Sequence, residues 1–215
     1  MNRRTRIKIC GLTREQDVRA AVEAGADAIG LVFYERSPRH VTLARAAELA
    51  RALPPFVTPV GLFVNAALDD IAKAVAAIPH LVLQFHGDET PEQCRQAGRP
   101  FIRAARMGPE LDLLDFAQQY SDAQAVLLDA QVEGYGGGGK VFDWSLIPSN
   151  VHFPVVLSGG LHAANVAAGM LQVRPWAVDV SSGVEASKGL KNTDLIRQFC
   201  DAVREADARI APLSS

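Results

Sequence analysis

Three residues of this chain have types and positions suited to a reaction: Cys10, Asp129 and Arg39. Cys10 closes the apolar run "RIKIC", one residue before Gly11, and Asp129 stands near the end of "AQAVLLDA". A thiol and a carboxylic acid aimed into one mouth from two strand ends form a general acid–base pair. The thiol works as a base only where neighbours favour its thiolate. Taken alone, Cys10 reads equally as a small buried hydrophobe, and Asp129 as a cap on the loop that follows it. Arg39, in "SPRH", offers a planar fork for a substrate carboxylate; its plainer reading is a solvated surface side chain.

Two glycine turns suggest where an anion would sit. "LSGGLHAANV" places Gly159 and Gly160 before a helix that opens around Ala163 and Asn165, and "VDVSSGVE" places Asp179, Ser181, Ser182 and Gly183 at the end of another apolar run. Small-residue turns expose backbone N–H groups, and a helix start adds positive potential, so a phosphate fits there. Tight turns also need glycine for conformational reasons alone. "GYGGGGKVFDW" is a different loop: a lid, a second phosphate contact through Lys140, or a flexible connector. It lacks the spacing and the Ser/Thr of a nucleotide-binding P-loop. The first turn has one glycine rather than the three of a dinucleotide fingerprint.

Arg36, Asn65, His86, Arg103 and Arg106 complete the set of strand-end candidates. His40, His80, His86, His152 and His162 show no metal-ligand spacing, so no metal site is expected.

The elements that must position these residues form a regular series. Eight short apolar runs, "RIKIC", "DAIGLVF", "VTPVGLFV", "HLVLQF", "PFIRAARM", "AQAVLLDA", "FPVVLSGG" and "WAVDVSS", lack strict alternation, as strands buried on both faces of a parallel sheet do. Between them lie helical patterns such as "TREQDVRAAVEAG", with Val18, Ala21 and Val22 on one stripe and Gly25 as a stop. Eight strands alternating with about eight helices predict an α/β fold, a single (β/α)8 TIM barrel over residues 1–215 with 208–215 as a frayed tail. A doubly wound open sheet is the rival architecture. In a barrel, active sites are built at the carboxyl ends of the strands, which is where the candidates stand.

Composition narrows the partners. A formal net charge of -2 gives no basic field for nucleic acid or an anionic membrane. No apolar run approaches a membrane-spanning length, and no signal-peptide pattern follows the charged start. Cys10, Cys94 and Cys200 have no paired spacing, which fits a reducing cytoplasm. The expected partner is a small phosphorylated molecule, and no obligate protein partner is evident.

Taken together, "KICGLT", "GLVFYERSPRHV", "GLFVN", "LQFHGDE", "LLDA" followed by "GGGGKVFDW", "LSGGLHAANV" and "VDVSSGVE" resemble, in order and over nearly the whole chain, the phosphoribosylanthranilate isomerase family of tryptophan biosynthesis. The resemblance implies a (β/α)8 barrel that performs an Amadori rearrangement without cofactor or metal. It implies Cys10 as general base, Asp129 as general acid, and Arg39 as the receiver of the anthranilate carboxylate. Phosphate would rest on Gly159, Gly160, Ser181, Ser182 and Gly183, and His86 and Asp179 belong with the substrate-binding set. The acid must hold a proton near neutral pH, where an ordinary aspartate is ionised. Gly138 stands where the family usually has Thr, and Phe85 where it more often has Leu.

The enzyme rivals are a ribulose-phosphate epimerase, which wants strand-end metal ligands, and an indole-glycerol-phosphate synthase, which wants strand-end lysines. A non-catalytic phosphometabolite-binding barrel would need no reactive pair at all.

Overall fold

The structure is a computed structural model that describes residues 4–131, 139 and 141–210. Eight parallel strands close into a barrel in the order of the chain: β1 (Arg6–Cys10), β2 (Ala28–Val32), β3 (Thr58–Phe63), β4 (Val82–Phe85), β5 (Phe101–Met107), β6 (Ala125–Ala130), β7 (Val155–Leu157) and β8 (Ala177–Val180). Each lies within one of the eight apolar runs. Closure excludes the open doubly wound sheet. Neighbouring strands pair in register, with Lys8 beside Asp179 across β1 and β8, and Cys10 beside Gly30 across β1 and β2.

Successive side chains of a strand point to opposite faces, so each strand carries two apolar faces for two purposes. Outward residues such as Ile9, Ile29, Leu31, Leu83, Leu128 and Val178 are fully buried under the helices. Burying one such side chain stabilises the fold by about 1.5–3 kcal/mol. Inside the barrel a second cluster, Ala104, Ala125, Leu127, Val156 and Ala177, plugs the lower part. The layers above it are polar, because Lys8, Gln84, Asp129, Ser158 and Asp179 occupy the next inward positions. A filled lower barrel and a polar upper barrel set the site at the carboxyl ends of the strands.

The helices are α1 (Glu15–Glu23), α2 (Leu43–Arg51), α3 (Leu68–Ala77), α4 (Pro91–Gln96), α5 (Leu113–Gln119), α6 (Val166–Val173) and α7 (Thr193–Ile210). α4 starts with a reciprocal cap: Thr90 Oγ1 accepts from the Gln93 N–H and the Thr90 N–H donates to Gln93 Oε1. Gly25 follows α1 with φ +86°, as a stop should.

Three features differ from the sequence expectation. Thr13 does not cap α1; its hydroxyl donates to the Gly189 carbonyl instead, and Arg14 holds the N-cap. After β8 the chain makes a 3-10 turn (Ser182–Val184) and a hairpin, β9 (Glu185–Ser187) with β10 (Leu190–Lys191), before α7. Residues 208–210, expected in a tail, continue α7, whose apolar side is buried by Ile196, Phe199, Val203 and Ala206. After β6, a 3-10 turn at Trp144–Leu146 is the one helical element described before β7. Gly138 and Lys140 lie outside the described residues. No helix of the described residues is long and apolar enough to cross a membrane.

Candidate active site

A cavity of about 300 Å³ opens at the carboxyl ends of the strands. Cys10, Arg39, His86, Asp129, Gly159, Gly160, Asp179, Ser181 and Ser182 all line it; of the residues that the family resemblance named, only Gly183 does not. Arg36 reaches its rim from an exposed position. A larger hollow of about 590 Å³, beside Trp144 and the end of α6, holds none of the candidate residues.

The period of two explains which candidates enter. Cys10 and Asp129 share inward parity with Lys8 and Leu127 and end their strands at the cavity. Arg103 has the opposite parity and is buried outside the barrel. It donates to the Phe85 and Gly87 carbonyls at 2.9 and 3.1 Å and stacks on Tyr120. Arg106 pairs with Asp88, and Asn65 joins the same rim network with Asp88 and Glu89. These three serve structure around the mouth and do not line the cavity.

The thiol of Cys10 is buried. Burial is the largest influence on it and pushes its pKa up; the Lys8 ammonium opposes this, Asp179 reinforces it, and Lys191 opposes it. Gly30 gives the sulfur its room, since a Cβ there would sit 2.5 Å from Sγ. Gly11 does the same for Arg39: it has φ +76°, and a Cβ on it would lie 2.4 Å from Arg39 Cδ. The "KICG" turn therefore carries one candidate and makes room for another.

Asp129 is held from two directions. Its Oδ1 accepts the Ala130 N–H at 2.9 Å, and its Oδ2 lies 3.1 Å from His86 Nε2. His86 Nδ1 in turn is 3.0 Å from Gln84 Nε2. Gln84, His86 and Asp129 thus form one chain of polar contacts across the barrel mouth. His86, expected as a substrate contact, is first of all the partner of the acid.

Arg39 is buried rather than solvated. Its Nε and Nη2 donate to the two oxygens of Glu185 at 2.7 and 2.9 Å, so that edge of the fork is taken. Only the other, end-on edge is left for a ligand. Lys191 binds the same Glu185 at 2.8 Å and the Ser181 carbonyl at 2.9 Å. Asp179 is likewise occupied: Oδ1 accepts from Lys8 Nζ at 2.8 Å and Oδ2 from the Ser158 hydroxyl at 3.2 Å. It braces cations and hydroxyls, and both of its oxygens are taken by the protein.

The two turns expected to cradle a phosphate are shaped by close approach of the backbone. Gly159 and Gly160 have φ +78° and +62°, and a Cβ on Gly159 would stand 2.7 Å from the Ala130 nitrogen. Asn165 locks the turn, donating to the Gly160 carbonyl at 3.0 Å and accepting the His162 N–H at 2.8 Å. Gly183 acts by close approach: its Cβ would fall 1.9 Å from the Leu161 carbonyl oxygen, so glycine lets the β7 and β8 turns touch.

Lys8, Gln84, Glu185 and Lys191 are site residues that the strand-end reading missed. The first two sit two residues before Cys10 and His86 on the same faces, a signal that inward parity would have supplied.

Comparison with known proteins agrees with this geometry. Residues 7–202 match the family model described as N-(5'-phosphoribosyl)anthranilate (PRA) isomerase. An N-(5'-phosphoribosyl)anthranilate isomerase of Methylibium petroleiphilum is 74% identical over 208 residues, covering 97% of this chain and 98% of the relative. One of Leptothrix cholodnii is 72% identical over 212 residues, covering 99% and 96%. A crystal structure of phosphoribosyl anthranilate isomerase from Thermotoga maritima superposes with a TM-score of 0.87 at 42% identity, covering 94% of this chain and 99% of that one. Another, in complex with reduced 1-(o-carboxyphenylamino)-1-deoxyribulose 5-phosphate, superposes with a TM-score of 0.83 at 40% identity over the same shares. The chain belongs to the N-(5'-phosphoribosyl)anthranilate isomerase family.

Proposed function

We propose that the chain performs the isomerisation of its family, converting N-(5'-phosphoribosyl)anthranilate to 1-(2-carboxyphenylamino)-1-deoxyribulose 5-phosphate, with Cys10 as base and Asp129 as acid. The single observation that carries the assignment of roles is that Cys10 and Asp129 line one cavity with the Gly159–Gly160 and Ser181–Ser182 turns. The solved relative that holds a reduced product analogue supports the same substrate class.

The steps balance on these two groups. Asp129 gives its proton to the ribose ring oxygen as the C1–O bond breaks and the amine lone pair forms the C1=N iminium. Cys10 thiolate then takes the C2 proton, and the C–H electron pair becomes the C1=C2 bond while the iminium nitrogen recovers its lone pair. The resulting enolamine ketonises to the open-chain ketose as C1 takes a proton from the Cys10 thiol and the C2 hydroxyl gives one to the Asp129 carboxylate, which resets both groups. Neither step asks for a metal, and among the described residues no group of three or more His, Cys, Asp or Glu clusters as metal ligands do. His86 orients the acid. Phosphate and carboxylate ends hold the reacting carbons in place through remote binding energy. The three cysteines are free, which suits a reducing cytoplasm.

The test is to add purified protein to freshly made phosphoribosylanthranilate and follow its fluorescence loss. Protein-dependent loss is the expected result; unaccelerated decay would refute the assignment.

A further inference from the structure

Beneath the two reacting groups lies an ion pair that the mechanism above does not use. Lys8 is 4% exposed, inside the barrel, on the same face of β1 as Cys10 and two residues before it. A bare ammonium at such depth would be expelled or neutralised. Asp179, its register partner on β8, holds it at 2.8 Å, and the Ser158 hydroxyl fixes the other carboxylate oxygen. Gly30 keeps the Cys10 sulfur close against β2 on this same inner wall.

We infer that Lys8 is the positioning residue for the base: its ammonium, anchored by Asp179, stabilises the thiolate of Cys10 in an otherwise desolvated pocket. The inference rests on the reading of Cys10 as base. A buried thiol alone resists ionisation, and a fixed cation in a low-dielectric interior acts on it more strongly than one in water. Lys191 on β10 and Arg39 after β2 also face the thiol. Both, however, are bound to Glu185, and Lys191 additionally to Ser181. Asp179 and Glu185 are the opposing charges. Lys8 ranks above Lys191 among the groups that favour the thiolate, and it stays protonated because Asp179 and Cys10 outweigh its burial.

The experiment measures thiolate directly, without turnover. The rate of iodoacetamide alkylation of Cys10 in the folded protein is followed against pH by mass spectrometry of the Cys10 peptide. Lys8→Met should slow alkylation roughly tenfold or more at fixed pH, the equivalent of one pKa unit. Lys8→Arg should restore it. Lys191→Met should slow it less than Lys8→Met. The rising limb of the kcat–pH profile should move up with the alkylation midpoint. If Lys8→Met does not fold, Lys8→Gln, whose amide can still bond Asp179, carries the test, with alkylation slower than in the native chain. Native-like alkylation in Lys8→Gln, or in Lys8→Met, overturns the inference. Unchanged alkylation in Lys8→Met beside lost turnover in Cys10→Ala removes the role of Lys8 and leaves the base reading standing. Slowed alkylation in Lys8→Met beside undiminished turnover in Cys10→Ala does the reverse.

Discussion

Arg39 and Glu185 form a two-pronged ion pair at 2.7 and 2.9 Å at the cavity wall, with Lys191 on the same carboxylate. The pair explains how an arginine comes to be buried and aimed rather than solvated. It commits the Nε–Nη2 edge of the guanidinium to the protein and leaves the end-on edge for a ligand.

Removing Arg39 should therefore hurt one end of the substrate. Arg39→Ala should weaken binding of a carboxylate-bearing product analogue by roughly tenfold or more, the worth of a charged hydrogen-bond pair, while inorganic phosphate binds nearly as before. Equal losses for both ligands in calorimetry would show that Arg39 is not the carboxylate clamp.

Glu185 should make its stability contribution pH-dependent. Burial pushes its pKa up, but Arg39 and Lys191 more than compensate, so the folded value lies below the ordinary glutamate range. A depressed carboxyl stabilises the fold above its unfolded pKa, and that stability is lost as pH falls through the folded one. Thermal denaturation should show the native Tm falling on acidification below about pH 4.3 by more than that of Glu185→Gln. At neutral pH the variant should be less stable by about 3–5 kcal/mol, because buried cations lose their partner. Parallel Tm–pH curves would contradict this account of the pair.

The glycine turn offers a test with an internal control. Gly159→Ala places a Cβ at φ +78°, 2.7 Å from the Ala130 nitrogen and 3.2 Å from Asp129 Oδ1. It should cost about 1–3 kcal/mol in strain and lower both phosphate affinity and kcat. Gly98→Ala has a similar φ, +63°, but open space around it, so its Tm should fall with no change in kinetics. Identical kinetics in the two variants would mean that the β7 turn does not form the phosphate cradle.

Asp129→Asn should keep the fold and phosphate affinity, since the amide oxygen can still accept the Ala130 N–H while its NH2 donates to His86 Nε2 in the imidazole tautomer that leaves this nitrogen bare, yet remove nearly all turnover. An active Asn variant would assign ring protonation to another group.

The strands, the cavity and the places of Cys10 and Asp129 at its wall were legible in the sequence because each apolar run ends at a turn residue and barrels place their sites there. Lys8 was not, although it stands inside "RIKIC". In a strand buried on both faces the alternation that would assign Lys8 and Cys10 to one side is masked by Ile7 and Ile9 on the other. The His86–Asp129 bond joins β4 to β6 across β5, and only closure of the barrel brings them together. Glu185 and Lys191 depend on a three-residue strand and a two-residue strand with a register shift, too short to leave a periodic signal.

The most direct test of the acid–base account is kcat of Cys10→Ala in the phosphoribosylanthranilate fluorescence assay. A positioned base contributes about 10²–10⁴-fold, so kcat should fall by that factor with KM little changed, because the thiol removes a proton rather than holding an end of the substrate. Turnover within about threefold of the native chain, outside the range of a positioned base, would return Cys10 to the role of a buried apolar filler and contradict the account.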